Sequence, residues 1–422
     1  MLTKQKGQPE RVIIIGAGVV GAATALALQK SGHKVTLIDR NAPCSGASFG
    51  NAGAIVNGSC APTAMPGIVY DAMVMLSQKA PALAIRPAYY HKILPWLIRF
   101  IWQSRASAVA NNSRHLFALS NLAVQSWRQL TDNTELSKLL SQQGWLKVFQ
   151  SSQSFDASLN SRQLLDRQCT KYQVLDRGDI QALEPNLAPI FNHGIFQQDS
   201  LHITNPDQLV KGMVDLMVKR GGHYKKFAVD NIAHQQQTVQ LSGSQGVLTA
   251  DKVVIASGAW SKSLAKQLGD DIPLDTERGY HMMLANSTEA LLQRPVVNVD
   301  NSFVLSPMEM GLRMTSQIEF GGLYLPPDYT RVRSLLPQVK RMLPKADLKE
   351  QSVWMGFRPS LPDSLPVLGY SSATNRVIYA FGHQHLGMTL GAVTAFIIDD
   401  LLSNNAPRVA LEPYRAKRFG LF

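Results

Sequence analysis

The apolar positions fall into stretches of clearly different period. Val12–Ile15 is an unbroken β-branched run, the pattern of a parallel strand buried on both faces. Small residues follow, then Ala22–Lys30, rich in strong helix formers and stopped by Gly32. Val35–Ile38 is a second buried strand, ended by Asp39. Further on, a long helical stretch is predicted over roughly Ala84–Gln143, and a helix over Asn205–Arg220 with Gly221 just past its end. "YKKFAVDNIAHQQQTVQLSGSQGVLTA" alternates like a meander, and Lys252–Ala256 reads as another buried strand turning at Gly258. In "GLRMTSQIEFGGL" alternation puts Leu312, Met314, Ser316 and Ile318 on one face and Arg313, Thr315, Gln317 and Glu319 on the other. "RPSLPDSLPVLG", Arg358–Gly369, carries three prolines, which excludes a helix and a central strand. A last helix is expected to start near Met388.

The turn after the first strand carries chemistry. Gly16, Gly18 and Gly21 form G-x-G-x-x-G between a strand and a helix. Gly16 permits the tight turn, Gly18 lets the backbone approach a pyrophosphate, and Gly21 lets helix and strand pack closely. The unpaired N–H groups of the helix start face the phosphates. Asp39, 18 residues after Gly21, is placed to accept from a ribose hydroxyl. The unit predicts dinucleotide binding without separating FAD from NAD. After it the chain leaves through the small-residue loop Cys44–Gly67 and resumes nucleotide-domain patterns only near Asn205. Such an interruption suits FAD, a large cofactor spanning two lobes.

Composition narrows the picture. The 422 residues are 45% apolar and 17% charged, ordinary for a globular chain of two lobes. The net charge of +12 contains no basic run longer than two residues, so nucleic acid is not expected as a partner. The three cysteines form no C-x-x-C and no zinc spacing, and His383 with His385 lacks a third ligand, so no metal is expected. The polar start "MLTKQKGQPERVIII" has no apolar signal core, which favours a cytoplasmic location.

Four motifs, "VIIIGAGVVGAATALAL", "ASFGNAG", "VVIASGAWS" and "GFRPSLPDSLPVLG" with "GHQHLGMTLG", resemble the FAD-dependent D-amino-acid oxidase and glycine oxidase superfamily, most of all its bacterial D-amino-acid dehydrogenases. The resemblance implies an α/β plus α+β fold: a discontinuous Rossmann-type FAD-binding lobe and a mixed-sheet substrate lobe with a helical extension. The expected bounds are residues 1–60, 204–270 and 353–422 for the first lobe, and 61–203 and 271–352 for the second. It implies non-covalent FAD held by Gly16, Ala17, Gly18, Val19, Val20 and Gly21, with Asp39 and Arg40 beside the ribose. Ser48, Asn51, Ala52 and Gly53 would lie near the flavin ring, Val229 at the adenine, and Ser257, Gly258 and Trp260 at the pyrophosphate. Arg358, His383, Gly387, Met388 and Thr389 would close over the isoalloxazine.

The implied activity is dehydrogenation of a D-amino acid or cyclic D-imino acid, with D-proline or hydroxy-D-proline favoured and a quinone or other acceptor for the electrons. A glycine- or sarcosine-type oxidase using oxygen and a non-catalytic flavoprotein subunit are the alternatives. The chemistry asks for a shaped pocket and a carboxylate ligand, which an arginine fork suits. Arg313, facing the cavity from its strand, resembles the family's carboxylate-binding arginine, with Arg358 second. Tyr280 and His281 are candidates to line the pocket or to pack behind it. "YYHKILPWLIRFIWQSR" puts apolar residues after Pro95 on a helix with Arg99 and Arg105. It reads either as peripheral membrane contact or as a helix packed on the lobe.

Overall fold

The computed structural model describes residues 9–77, 82–285 and 291–420. The polar residues 1–8 of the chain start lie outside the described part. Two large sheets organise the rest.

The first is six-stranded, in the order His223–Lys226, Lys34–Asp39, Arg11–Ile15, Lys252–Ile255, Val377–Phe381, Val367–Tyr370. All pairs are parallel except the last. Its central strands are continuous apolar runs because helices cover one face: Val19–Lys30 packs against Gly387–Leu402 and Pro206–Lys219. The helix after the first strand starts at Val19, three residues earlier than the expected Ala22. Asn205 caps the helix Pro206–Lys219 through the Gln208 N–H, and Gly221 follows at φ +92°. The expected meander is a three-stranded antiparallel sheet on the other side. Gly387–Leu402 is part of the only helix among the described residues long and apolar enough to cross a membrane. It is mostly buried, a core helix.

The second sheet is mixed and nine-stranded. Its main path runs Glu350–Ser360, Asp275–Leu284, Gly311–Phe320, Phe303–Met308, Val296–Asn298, Trp145–Phe149, His193–Gln197, Gln173–Asp176. Glu350–Ser360 pairs with Asp275–Leu284, so the expected lobe boundary at residue 353 falls inside a strand of this sheet. The change of sheet comes after Ser360. Pro359 sits in this strand because it is an edge, where a missing donor costs no ladder bond. The prolines that follow shape the turn leading back to the first sheet.

The stretch expected to be helical from Ala84 to Gln143 begins with a strand, Leu83–Ile85, and ends with another, Leu140–Ser141. Between them lie the helices Tyr90–Gln103, Ala106–Ser120 and Ala123–Thr131. Alternation along Gly311–Phe320 breaks at Gln317, which has φ +63°, and the register with Asp275–Leu284 shifts opposite it. This bulge re-aims the strand, so Thr315, Ser316, Gln317 and Ile318 all line one cavity rather than dividing between two faces.

Candidate functional site

A cavity of about 1250 Å³ runs between the two sheets. One end lies on the glycine turn. Gly16 has φ +110°, and a Cβ there would stand 2.4 Å from the Ala256 carbonyl oxygen; a Cβ on Gly21 would stand 1.8 Å from the Gly16 oxygen. Both positions therefore admit only glycine. Gly21 packs helix on turn and does not itself line the cavity. Gly18 faces open space apart from the Ser48 hydroxyl, which accepts from the Val19 N–H at 2.9 Å. Asp39 closes the turn: its carboxylate accepts from the N–H groups of Ala17 and Asn41, each at 2.8 Å. Arg40 stacks over the Trp260 ring at 4.1 Å beside Val229, walling the outer end. Ala17, Val19, Val20, Ser257 and Gly258 complete this part of the wall.

The opposite wall is the start of Gly387–Leu402. A turn at Gln384–Leu386 runs straight into this helix, and Gly387, Met388 and Thr389 line the cavity, so the positive end of the helix faces inward. The Thr389 hydroxyl accepts from the Val56 N–H and so anchors the loop after Gly53. His383 also lines the cavity, its ring bonded to the Thr394 hydroxyl at 2.9 Å. Burial pushes its pKa down to about 3, so the ring is neutral. Two helix starts, a glycine cradle and a long apolar cleft fit a dinucleotide with a flat ring system. The residues present therefore fit FAD.

Arg313 has a different position from the one expected. It is on the cavity face of its strand, yet the segment Phe49–Asn51 covers it. Its guanidinium donates to the carbonyls of Phe49 at 2.9 Å and Asn51 at 2.7 Å, and the residue is 2% exposed and outside the cavity wall. Burial lowers its pKa to about 10. Arg313 thus holds the loop from beneath. Tyr280 is fully buried on the opposite face of the sheet. Its hydroxyl donates to Glu319 and accepts from the Asp328 N–H, both at 3.1 Å. His281 is stacked behind Trp354 at 5.3 Å, with its pKa pushed down to about 3 by burial. Neither lines the cavity, because Trp354 and Gly50 come between His281 and the open space. Gly53 is also outside the wall. At φ +71° it lets the loop pass against the Ile203 carbonyl, while Ser48, Asn51 and Ala52 face in.

Arg358 does face the cavity. Its guanidinium donates to the Gln317 carbonyl at 3.0 Å, and the Gly279 backbone beside it leaves no room for a side chain. Glu277 stands directly across the ladder; burial raises its pKa, and the nearby Arg358 charge opposes that shift. Glu277, Trp354 and Lys147 are wall residues that sequence reasoning missed, and His385, in the segment expected to close over the isoalloxazine, lines the wall as well. Burial first, then the charges of Arg358 and Lys147, lower the His385 pKa to about 4. Cys60 lines the same end, whereas Cys44 is buried outside it.

The family described as DAO, FAD dependent oxidoreductase, matches residues 11–401. The chain belongs to this family. A D-amino-acid oxidase of Bradyrhizobium diazoefficiens is 31% identical over 97% of this chain and 98% of its own length. A D-amino acid dehydrogenase of Rhizobium rhizogenes is 28% identical over 97% and 100%. Among solved structures, glycine oxidase from Geobacillus kaustophilus superposes with a TM-score of 0.74 at 22% identity, covering 97% of this chain and 99% of that one. L-Proline dehydrogenase from P. horikoshii gives 0.72 at 15%, covering 98% of each. These neighbours share the fold: a parallel dinucleotide lobe beside a mixed sheet. The DAO chain is therefore an FAD-dependent oxidoreductase, and the cleft between its sheets is where the cofactor fits.

Proposed function

We propose that the chain dehydrogenates D-amino acids or cyclic D-imino acids on non-covalently bound FAD, with D-proline or hydroxy-D-proline favoured. The observation that carries the reading is Arg358: an arginine fork facing the inner end of the cavity, with its single hydrogen bond to a backbone carbonyl. A guanidinium so placed suits a substrate carboxylate. Bound flavin supplies hydride acceptance from the substrate Cα. The residues supply position: Arg358 fixes the carboxylate, while Trp354, Met355 and the Gln317 bulge wall the Cα against the cofactor side and exclude water. His383 and His385 are neutral near pH 7 and add no charge against the substrate amine. The names of the two relatives support the D-configuration, and a proline dehydrogenase among the structural neighbours is consistent with a cyclic substrate.

The acceptor half of the proposal rests on a surface. The helices Ile68–Ser77 and Tyr90–Gln103 expose Val69, Tyr70, Met73, Tyr90, Leu94, Ile98, Ile101 and Trp102. Along the second helix the spacing makes one outward stripe. Trp96 and Ile93 turn inward to Phe320, and Leu97, Phe100 and Ile101 line the cavity mouth. The Arg105 guanidinium lies 3.5 Å over the Trp102 ring. In our reading this apolar rim, on a chain of net charge +12, rests on the anionic inner face of a membrane, where a quinone collects electrons. A second reading, direct use of oxygen, is favoured by the relative named an oxidase. Turnover of D-proline and hydroxy-D-proline by the holoenzyme, with a soluble quinone and then in air, tests the proposal. Fast quinone reduction and little peroxide are expected. Stoichiometric peroxide at the same rate overturns the acceptor, and no product with any amino acid overturns the function.

A further inference from the structure

On the strand Trp145–Phe149, Leu146 and Val148 enter the core while Trp145 and Lys147 face the cavity. The Lys147 ammonium has no hydrogen bond and no carboxylate partner among the described residues. Burial lowers its pKa, and the neighbouring Cys60 thiol, whose own pKa burial raises, carries no charge near neutral pH to offset that. Other inward-facing cations of this lobe are provided for. Arg278 meets Glu319, Arg294 meets Glu184, Arg313 has two carbonyls, and Arg358 has the Gln317 carbonyl with Glu277 close by. A lone, partly buried ammonium on the wall of a mostly apolar cavity is costly unless something that enters the cavity satisfies it.

Position says which part of a ligand that is. Lys147 lies five strands from Arg358 across the sheet, and both charges are felt by His385, so they face one chamber from opposite sides. Lys147 is level with Trp354 through Val297, Val304, Thr315 and His281, so five steps of ~4.8 Å across the sheet and four residues of ~3.3 Å along it separate the two backbones by roughly 27 Å. Two long side chains reaching inward close about half of that. The remaining gap is too wide for both cations to share one carboxylate. It suits a small molecule bearing an acceptor oxygen at each end.

We propose that Lys147 is a specificity-determining residue: the substrate carries, beyond Cβ, a hydroxyl or carboxylate oxygen that accepts from the Lys147 ammonium while its α-carboxylate sits on Arg358. The substrate class is then a hydroxylated cyclic D-imino acid or an acidic D-amino acid. This rests on the amino-acid reading above.

The test compares the holoenzyme with Lys147→Met, Lys147→Gln and Lys147→Arg on matched pairs: hydroxy-D-proline against D-proline, and D-glutamate against D-norvaline. The wild type is expected to prefer the oxygen-bearing member of at least one pair, and which pair identifies the class. Lys147→Met and Lys147→Gln are expected to lose about ten- to a hundredfold in kcat/KM for that member, the worth of one hydrogen bond to a charged group. The plain member should stay within about threefold, and Lys147→Arg should recover part of the loss. FAD content and Tm show whether each variant folds. A second readout needs no turnover: titration of flavin absorbance with glutarate and butyrate. The wild type is expected to favour glutarate, and the two neutral variants to lose that preference. Equal loss on all four substrates, or no preference in either pair or in the titration, overturns the role. Failure of every amino acid to react overturns the function above, while the glutarate titration still decides Lys147.

Discussion

Replacing Arg313 by alanine separates two roles that an arginine facing this cleft could have. Its guanidinium spans two carbonyls, Phe49 at 2.9 Å and Asn51 at 2.7 Å, in the loop whose Ser48, Asn51 and Ala52 face the cavity. A hydrogen bond to a charged group is worth about 1.5–3 kcal/mol, and a buried carbonyl left without a donor adds to the loss. Two such bonds put the cost at roughly 3 kcal/mol or more. If the loop must be ordered to hold the cofactor, that corresponds to about a hundredfold weaker FAD binding. The expected result for Arg313→Ala is a lowered Tm and a large rise in FAD Kd, with kcat/KM per bound FAD close to wild type. Arg313→Lys should recover a large part of the loss, since both carbonyls accept from one guanidinium nitrogen, Nη1, which an ammonium can replace. Fluorescence titration of apoprotein with FAD and thermal melts of both forms measure these quantities. Wild-type FAD affinity and Tm, with KM raised tenfold or more, would refute the loop-holding role and return Arg313 to the substrate.

Four further outcomes follow from the same geometry. Arg358→Ala should keep FAD and lose about ten- to a hundredfold in kcat/KM, with Arg358→Lys recovering little; steady-state kinetics at full FAD occupancy check this. Gly21→Ala should yield protein without flavin, because a Cβ there stands 1.8 Å from the Gly16 carbonyl oxygen; the absorbance of the purified chain reports it. Leu94→Ser with Ile98→Ser should reduce low-salt binding to anionic vesicles in a flotation assay. Trp96→Ala should instead lower Tm, since Trp96 stacks on Phe100 at 5.0 Å inside the lobe.

The dinucleotide unit was readable because every requirement of its turn is local: three glycines, two flanking elements and an acid within one strand–helix–strand span. Alternation likewise placed Arg313 on the correct face. It could not show that Phe49–Asn51, more than 260 residues away in the chain, lies across that face. Tyr280 and His281 were ambiguous for the same reason, and only the packing of Trp354 and Gly50 removes His281 from the wall. Lys147 passed unnoticed because a lysine alternating with Leu146 and Val148 has the pattern of a solvated sheet face. Here that face meets a chamber. The bulge at Gln317 has no sequence signal of its own, since a non-glycine residue at positive φ is imposed by tertiary context. The expected boundary at residue 353 falls inside an edge strand that runs on through Pro359, which an edge tolerates.

The central claim is tested most directly by mixing the holoenzyme with a panel of D- and L-amino acids under anaerobic conditions and following the flavin absorbance near its visible maximum. The account predicts rapid bleaching by D-proline, hydroxy-D-proline or another D-amino acid, little with the L-enantiomers, and loss of that bleaching in Arg358→Ala that still holds FAD. Unchanged absorbance with the whole panel, or equal bleaching by the L-enantiomers, would contradict it.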